Sequence, residues 1–177
     1  SRLVGSEMCI RDRPPIDAVI VESFDKMRAY YSDDETVICT SGDGITPIEN
    51  SSVPQAKQCA VCPQSSWGSR ITPNGKRAKA CTEYATLKLI TLEEPSRCLL
   101  RVPSTSLRSF REYKKSLSSR GYGLKNVVTH INVRPLENYD LLTFKVGRFL
   151  KEIELNSIVR VSKTVRPQFE KTNGYIY

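Results

Sequence analysis

Along most of this chain apolar and polar residues alternate over short stretches, and one stretch repeats at helical spacing. Ile16–Glu22 is rich in β-branched residues and predicts a strand, with a second through Met27–Tyr31. Glu35–Thr40 predicts a short strand ending at Cys39, followed by a turn over Ser41–Gly44. Tyr84–Leu92 places Leu87 and Leu89 on one face and Lys88 on the other. It is followed by a turn at Glu93–Ser96 and a strand at Arg97–Val102. Leu107, Phe110, Lys114 (through its aliphatic stem) and Leu117 recur at helical spacing. Ser104 or Ser106 is placed to cap that helix, and Gly121 to stop it. Asn126–Arg134 alternates, Pro135–Asn138 turns, and Tyr139–Leu150 returns as a long strand. Ile158–Val165 reads as a further edge strand.

From Glu35 the order is strand, polar loop, strand, turn, strand, helix, strand, turn, strand. It predicts a mainly β (α+β) protein, an OB-fold-like five-stranded barrel with one helix between the third and fourth strands. Residues 14–166 are expected to form one domain with a zinc-ribbon-like loop inserted at about 39–83, and 167–177 a C-terminal tail. No run of about 18 apolar residues occurs, so no membrane-spanning helix is expected.

The inserted loop changes the picture because of its cysteines. Cys59-Ala-Val-Cys62 has the spacing that lets two thiolates reach one tetrahedral ion. Cys39 lies 19 residues before the pair and Cys81 lies 18 after it. Gln64–Ala80, between the pair and Cys81, is mostly Gly, Ser, Asn, Pro, Lys and Arg, with little to bury, so packing alone would not order it. A structural Zn2+ held by Cys39, Cys59, Cys62 and Cys81 is the expected staple. A disulfide framework is the alternative, but with Cys9 set aside in the suspect end at 1–13, the five that remain (Cys39, Cys59, Cys62, Cys81 and Cys98) are odd in number. A thioredoxin-like CxxC would need a helix after it, where Pro63 and a polar loop follow. Cys98 in Cys98-Leu99-Leu100 reads as a buried core thiol, and His130, the one histidine, as a sheet residue.

Net charge is +8 and uneven. Pro14–Gln55 carries eight acidic and two basic residues, whereas Arg97–Arg166 carries fifteen basic and five acidic. Such a half suits either a polyanionic partner or a solubilising surface. If Leu87, Leu100, Leu142, Phe144 and Val146 point inward, then Lys88, Arg101, Tyr139, Thr143 and Lys145 point outward, where cations would meet phosphates and Tyr139 a base. The cysteine loop adds Arg70, Lys76, Arg77, Lys79 and Trp67, the indole either stacking on a base or packing over the knuckle. Arg108, Arg111, Lys114 and Lys115 read equally as a solvated helix face. One histidine, no acid pair beside a nucleophile and no phosphate-binding glycine motif leave no catalytic set, so an enzyme is not expected.

Two resemblances bear on origin. Ser6-Glu7-Met8-Cys9-Ile10-Arg11-Asp12-Arg13 resembles translated sequencing adapter at a metagenomic contig end, so residues 1–13 are expected to be a disordered artefact and the native start lost. Cys39-Thr-Ser-Gly-Asp-Gly44, Cys59-Ala-Val-Cys-Pro63, Trp67-Gly-Ser69, Gly75-Lys-Arg-Ala-Lys-Ala-Cys81 and Val102-Pro-Ser-Thr-Ser-Leu107 resemble a family of tailed-phage and prophage proteins over roughly Ile16–Leu150. That resemblance implies the four cysteines as metal site and, for some members, single-stranded DNA binding in replication or recombination. It carries over no DNA-contacting residue. The acidic tail usual in phage strand-coating proteins is lacking in Gln168–Tyr177. The expected function is therefore largely sequence-independent single-stranded DNA binding in the bacterial host cytoplasm. The expected partners are single-stranded DNA and phage replication or recombination proteins. The alternative is a zinc-ribbon adaptor that docks on another protein and binds no nucleic acid.

Overall fold

A computed structural model describes residues 15–49, 51–92, 97–164 and 175–176. The expected artefact at 1–13, the turn Glu93–Ser96 and most of the expected tail lie outside the described residues. The chain divides into two compact units, one of Ser1–Ser23 and Thr86–Tyr177, the other of Phe24–Ala85. Strands β1 (Ile16–Tyr31) and β5 (Cys81–Thr91) contribute residues to both.

The first unit is a β-sheet with helices. Its strands β6 (Arg97–Val102), β7 (Val127–Pro135), β8 (Asp140–Phe149) and β9 (Tyr175–Ile176) join β1 and β5 in the order β8-β7-β1-β5-β6-β9. Within it, β7-β1-β5-β6 is a Greek-key order, the later strand returning beside the first. β1 pairs antiparallel with β7 (Asp17 opposite His130), and β7 pairs antiparallel with β8 from Val127–Phe149 to Pro135–Asp140. The β-rich α+β class expected above is what the chain adopts. Closure is corrected: among the described residues the sheet is open, its path ending at β8 and β9.

Helix α1 (Leu107–Ser118) buries Leu107, Phe110, Tyr113 and Leu117. Phe110 and Tyr113 meet Phe144 of β8 at ring-centroid distances of 5.2 and 6.1 Å. Tyr113 completes the stripe in which helical spacing alone places Lys114, whose ammonium instead lies 5.6 Å from the Phe110 ring centroid. Ser106 occupies the cap position without capping, its hydroxyl accepting a hydrogen bond from the Leu142 amide (2.9 Å). Gly121 ends the helix at φ +78°, as expected of a left-handed stop.

A second correction concerns the chain after Leu150. The expected edge strand at Ile158–Val165 is instead helix α2 (Glu152–Thr164). Glu154 explains its start: the carboxylate accepts the Lys151 amide (2.9 Å) and a two-pronged pair from Arg148 (2.8 and 3.0 Å). Tyr175–Ile176, within the expected tail, pair parallel with β6. Among the described residues no helix is long and apolar enough to cross a membrane.

The second unit holds the rest of β1, strand β2 (Val37–Ser41) on its flank, the start of β5, and a hairpin of β3 (Arg70–Ile71) and β4 (Arg77–Ala78). Met27–Tyr31 is the end of β1 rather than a separate strand. This unit has almost no hydrophobic core. Its buried residues, among those described, are Ala29, Ser41, Cys59, Cys62 and Ala85. Ile45, Val53, Val61, Trp67 and Ile71 are each more than half exposed. The apolar burial that holds α1 to its sheet is missing here.

Candidate metal centre and basic hairpin

The cysteines come from two kinds of backbone. Cys39 lies in β2 opposite Tyr30, two residues from the Arg28–Ser41 pair, and Cys81 opens β5. Cys59 and Cys62 bracket a single 3-10 turn, with the Cys62 amide donating to the Cys59 carbonyl (3.3 Å). Pro63 opens the next such turn, where its fixed φ suits the backbone and its missing N–H costs nothing. The Cys59 amide donates to the Ile45 carbonyl (2.8 Å), which ties the knuckle to the turn after β2. That turn is built by Asp43, whose carboxylate accepts the Ile45 and Thr46 amides, and by Gly44 at φ +73°.

Cys39, Cys59, Cys62 and Cys81 line one cavity of about 20 Å³, together with Arg28, Tyr30 and Ser65. That volume suits one atom-sized occupant, since a single water needs roughly 10–15 Å³. Burial pushes the Cys81 thiol up. A hydrogen bond with Ser65 and the Arg28 charge oppose this, while Cys62 and Cys59 lie near enough to add to it. Among the described residues, no group of three or more His, Cys, Asp or Glu side chains has the mutual geometry of a finished metal site. All four cysteines line this small void, in a unit with little else to hold it, and thiolate sulfur is a zinc-ligand chemistry. Cys98 belongs to the first unit, buried in β6, its thiol pushed up to about 11 by burial.

No family model, curated protein or solved structure matches the chain.

The predicted nucleic-acid contacts fall into both units. In the second unit Trp67 is 69% exposed and off the cavity wall, and Arg70, Lys76, Arg77 and Lys79 are exposed along the β3–β4 hairpin. Arg70 pairs with Ala78 and Ile71 with Arg77, and the Thr72–Lys76 turn closes through Gly75 at φ +73°. The Arg77 side chain lies against Gly68, where an added Cβ would come within 3.1 Å of Nε. That glycine, at φ +87°, lets the guanidinium approach the backbone beside Trp67.

In the first unit Leu87, Leu100, Leu142 and Phe144 are buried as expected, whereas Val146, expected inward with them, is only half-buried. Lys88 is tied to Glu22 at 2.6 Å, Arg101 is half-buried in β6, Tyr139 is exposed in the turn before β8, and Lys145 is exposed opposite His130. Thr143 donates to the Asn132 carbonyl (3.3 Å). His130 Nδ1 sits 2.7 Å from an Asp17 carboxylate oxygen. Arg108 pairs with Glu112 along the helix. Arg28, Tyr30 and Ser65 carry no mark in the sequence that sets them apart. Only the β1–β2 register, which sets Tyr30 against Cys39, could have signalled the first two.

Proposed function

We propose that this chain is a single-stranded DNA-binding protein of phage replication or recombination, largely indifferent to sequence, non-catalytic, and stabilised by a structural Zn2+ on Cys39, Cys59, Cys62 and Cys81. The supporting observation is the second unit itself. Its four cysteines line one small cavity, and an exposed indole, Trp67, precedes a hairpin that carries Arg70, Lys76, Arg77 and Lys79. An indole beside cations is the surface that stacks bases while tracking phosphates. The OB-like reading is supported by order once β1 takes the first place expected of the strand at Glu35–Thr40, which is β2 on the flank: β1, β5, β6, β7 and β8 make five strands with α1 between the third and fourth. Phage origin, host cytoplasm and replication or recombination partners rest on the motif resemblance.

When bound, the zinc supplies folding free energy, about 10 kcal/mol or more for thiolate sites of this kind. The chain's own residues do the rest: the knuckle turn aims Cys59 and Cys62, the strands aim Cys39 and Cys81, and the hairpin offers its side chains to a strand.

A zinc-ribbon adaptor is the second reading, favoured by the exposure of Ile45, Val53 and Val61 in the same unit. Titration of zinc-loaded protein with a labelled oligonucleotide at rising salt separates the two. Binding that weakens steeply with salt supports the first reading, and absent or salt-insensitive binding overturns it.

A further inference from the structure

Among the described residues, Arg28 is the one charged side chain on the cavity wall. It reaches there from β1, beside Tyr30, with its side chain only 21% exposed. Its two terminal nitrogens part company: one donates to the Ser65 hydroxyl at 3.1 Å, the other to the Glu83 carboxylate at 3.0 Å. Ser65 follows the knuckle directly, its amide donating to the Cys62 carbonyl (3.0 Å), and it lines the same cavity as Cys81. A hydroxyl that accepts from Arg28 keeps its own proton free to donate. Arg28 and the Ser65 hydroxyl it binds thus line the same cavity as Cys81.

Four thiolates around a divalent ion leave an excess of negative charge in a partly dry site. Such an excess calls for a fixed cation with directional donors, and a guanidinium is that group. We infer that Arg28, together with the Ser65 it binds, is the positioning residue of the cysteine centre: it fixes the cavity wall beside Cys81 and offsets the charge of the loaded thiolate set. This inference rests on the metal reading above. Glu83 has the secondary part of steering the guanidinium, and it competes with the centre for the same positive charge.

The test is a zinc competition titration of the full chain against a chromophoric chelator, with the cobalt-substituted protein's thiolate charge-transfer band as second readout. Arg28→Ala should keep one metal equivalent but bind it about 10–100-fold more weakly, with a shifted band. Arg28→Lys should recover part of the loss, since an ammonium restores charge but not the two-way fork. Ser65→Ala should weaken binding less than Arg28→Ala does. Glu83→Gln keeps the guanidinium and should hold zinc as tightly as the unaltered protein or more so. If Arg28 only ties β1 to β5, Glu83→Gln will lose as much affinity as Arg28→Ala, and the inference falls. It also falls if Arg28→Ala binds zinc with unchanged affinity and an unshifted band. Should Arg28→Ala fail to fold, the Lys and Gln variants decide alone. If the unaltered chain takes up no zinc, the metal reading itself fails and carries this inference with it.

Discussion

Cys39 stands directly across the β1–β2 ladder from Tyr30, and both line the cavity that receives the Cys59–Cys62 knuckle. A sheet strand and a loop distant in sequence are thereby joined by side chains too small to form an apolar core. Replacing any of Cys39, Cys59, Cys62 or Cys81 by serine should abolish stoichiometric zinc and expose the second unit to protease. Cys98→Ser should retain the metal. Elemental analysis with limited proteolysis checks this, and a metal-free but protease-resistant unaltered protein would refute it.

The hairpin prediction separates stacking from charge. Trp67→Ala should weaken oligonucleotide binding by about 1–3 kcal/mol without changing its salt dependence. Arg77→Ala or Lys76→Ala should instead flatten the plot of log affinity against log salt by about 0.7 for each phosphate no longer neutralised. Lys88→Ala should matter less, because Lys88 already pairs with Glu22. Fluorescence anisotropy at several salt concentrations distinguishes these outcomes.

In the first unit the Tyr113 hydroxyl meets the Thr129 hydroxyl at 2.8 Å, both buried. Tyr113→Phe leaves Thr129 without that partner and should cost about 1–3 kcal/mol in denaturant unfolding. Phe110→Ala, which empties a fully buried ring site against Phe144, should cost about 3–5 kcal/mol. A smaller loss for Phe110→Ala than for Tyr113→Phe would contradict this account of the core.

Glu154 gives a pH dependence with a definite sign. Hydrogen bonds from Arg148 first, then from the Lys151 amide, hold its carboxyl at about 2, below its ordinary 4.5. The folded state therefore binds this proton less readily than the unfolded chain. Its stabilisation is present above about 4.5 and is lost as pH falls toward about 2. Glu154→Gln should flatten the acid side of the α2 stability curve in that window. Carboxyl chemical shifts followed by NMR supply the midpoint, and a titration near 4.5 would refute the pairing.

Gly44 tests the turn beneath the knuckle. At φ +73°, an added Cβ would lie 2.5 Å from the Lys26 carbonyl oxygen, a backbone atom with little freedom to yield. Gly44→Ala should destabilise the second unit and weaken zinc retention, measured together by thermal melting and chelator challenge. Gly42→Ala, with nothing within 4 Å of its Cβ, should be much milder.

Local pattern is enough for much of this protein. Alternation marks β6 and β7 to within a residue or so, because a strand with one buried face repeats every second residue whatever its neighbours. The CxxC spacing and the polar composition around it likewise single out four particular cysteines, and all four line the one cavity. Ile158, Val159 and Val161 suggest a strand for a related reason: β-branched residues favour extended backbone, and the helix that forms is started by Arg148 and Lys151 meeting Glu154. Only the tertiary structure decided the open strand order, the scarcity of apolar core among the described residues of Phe24–Ala85, and the arrival of Arg28 and Ser65 on the cavity that the cysteines line. Each depends on which strand pairs with which and on contacts between residues far apart in the chain, and local periodicity does not encode these.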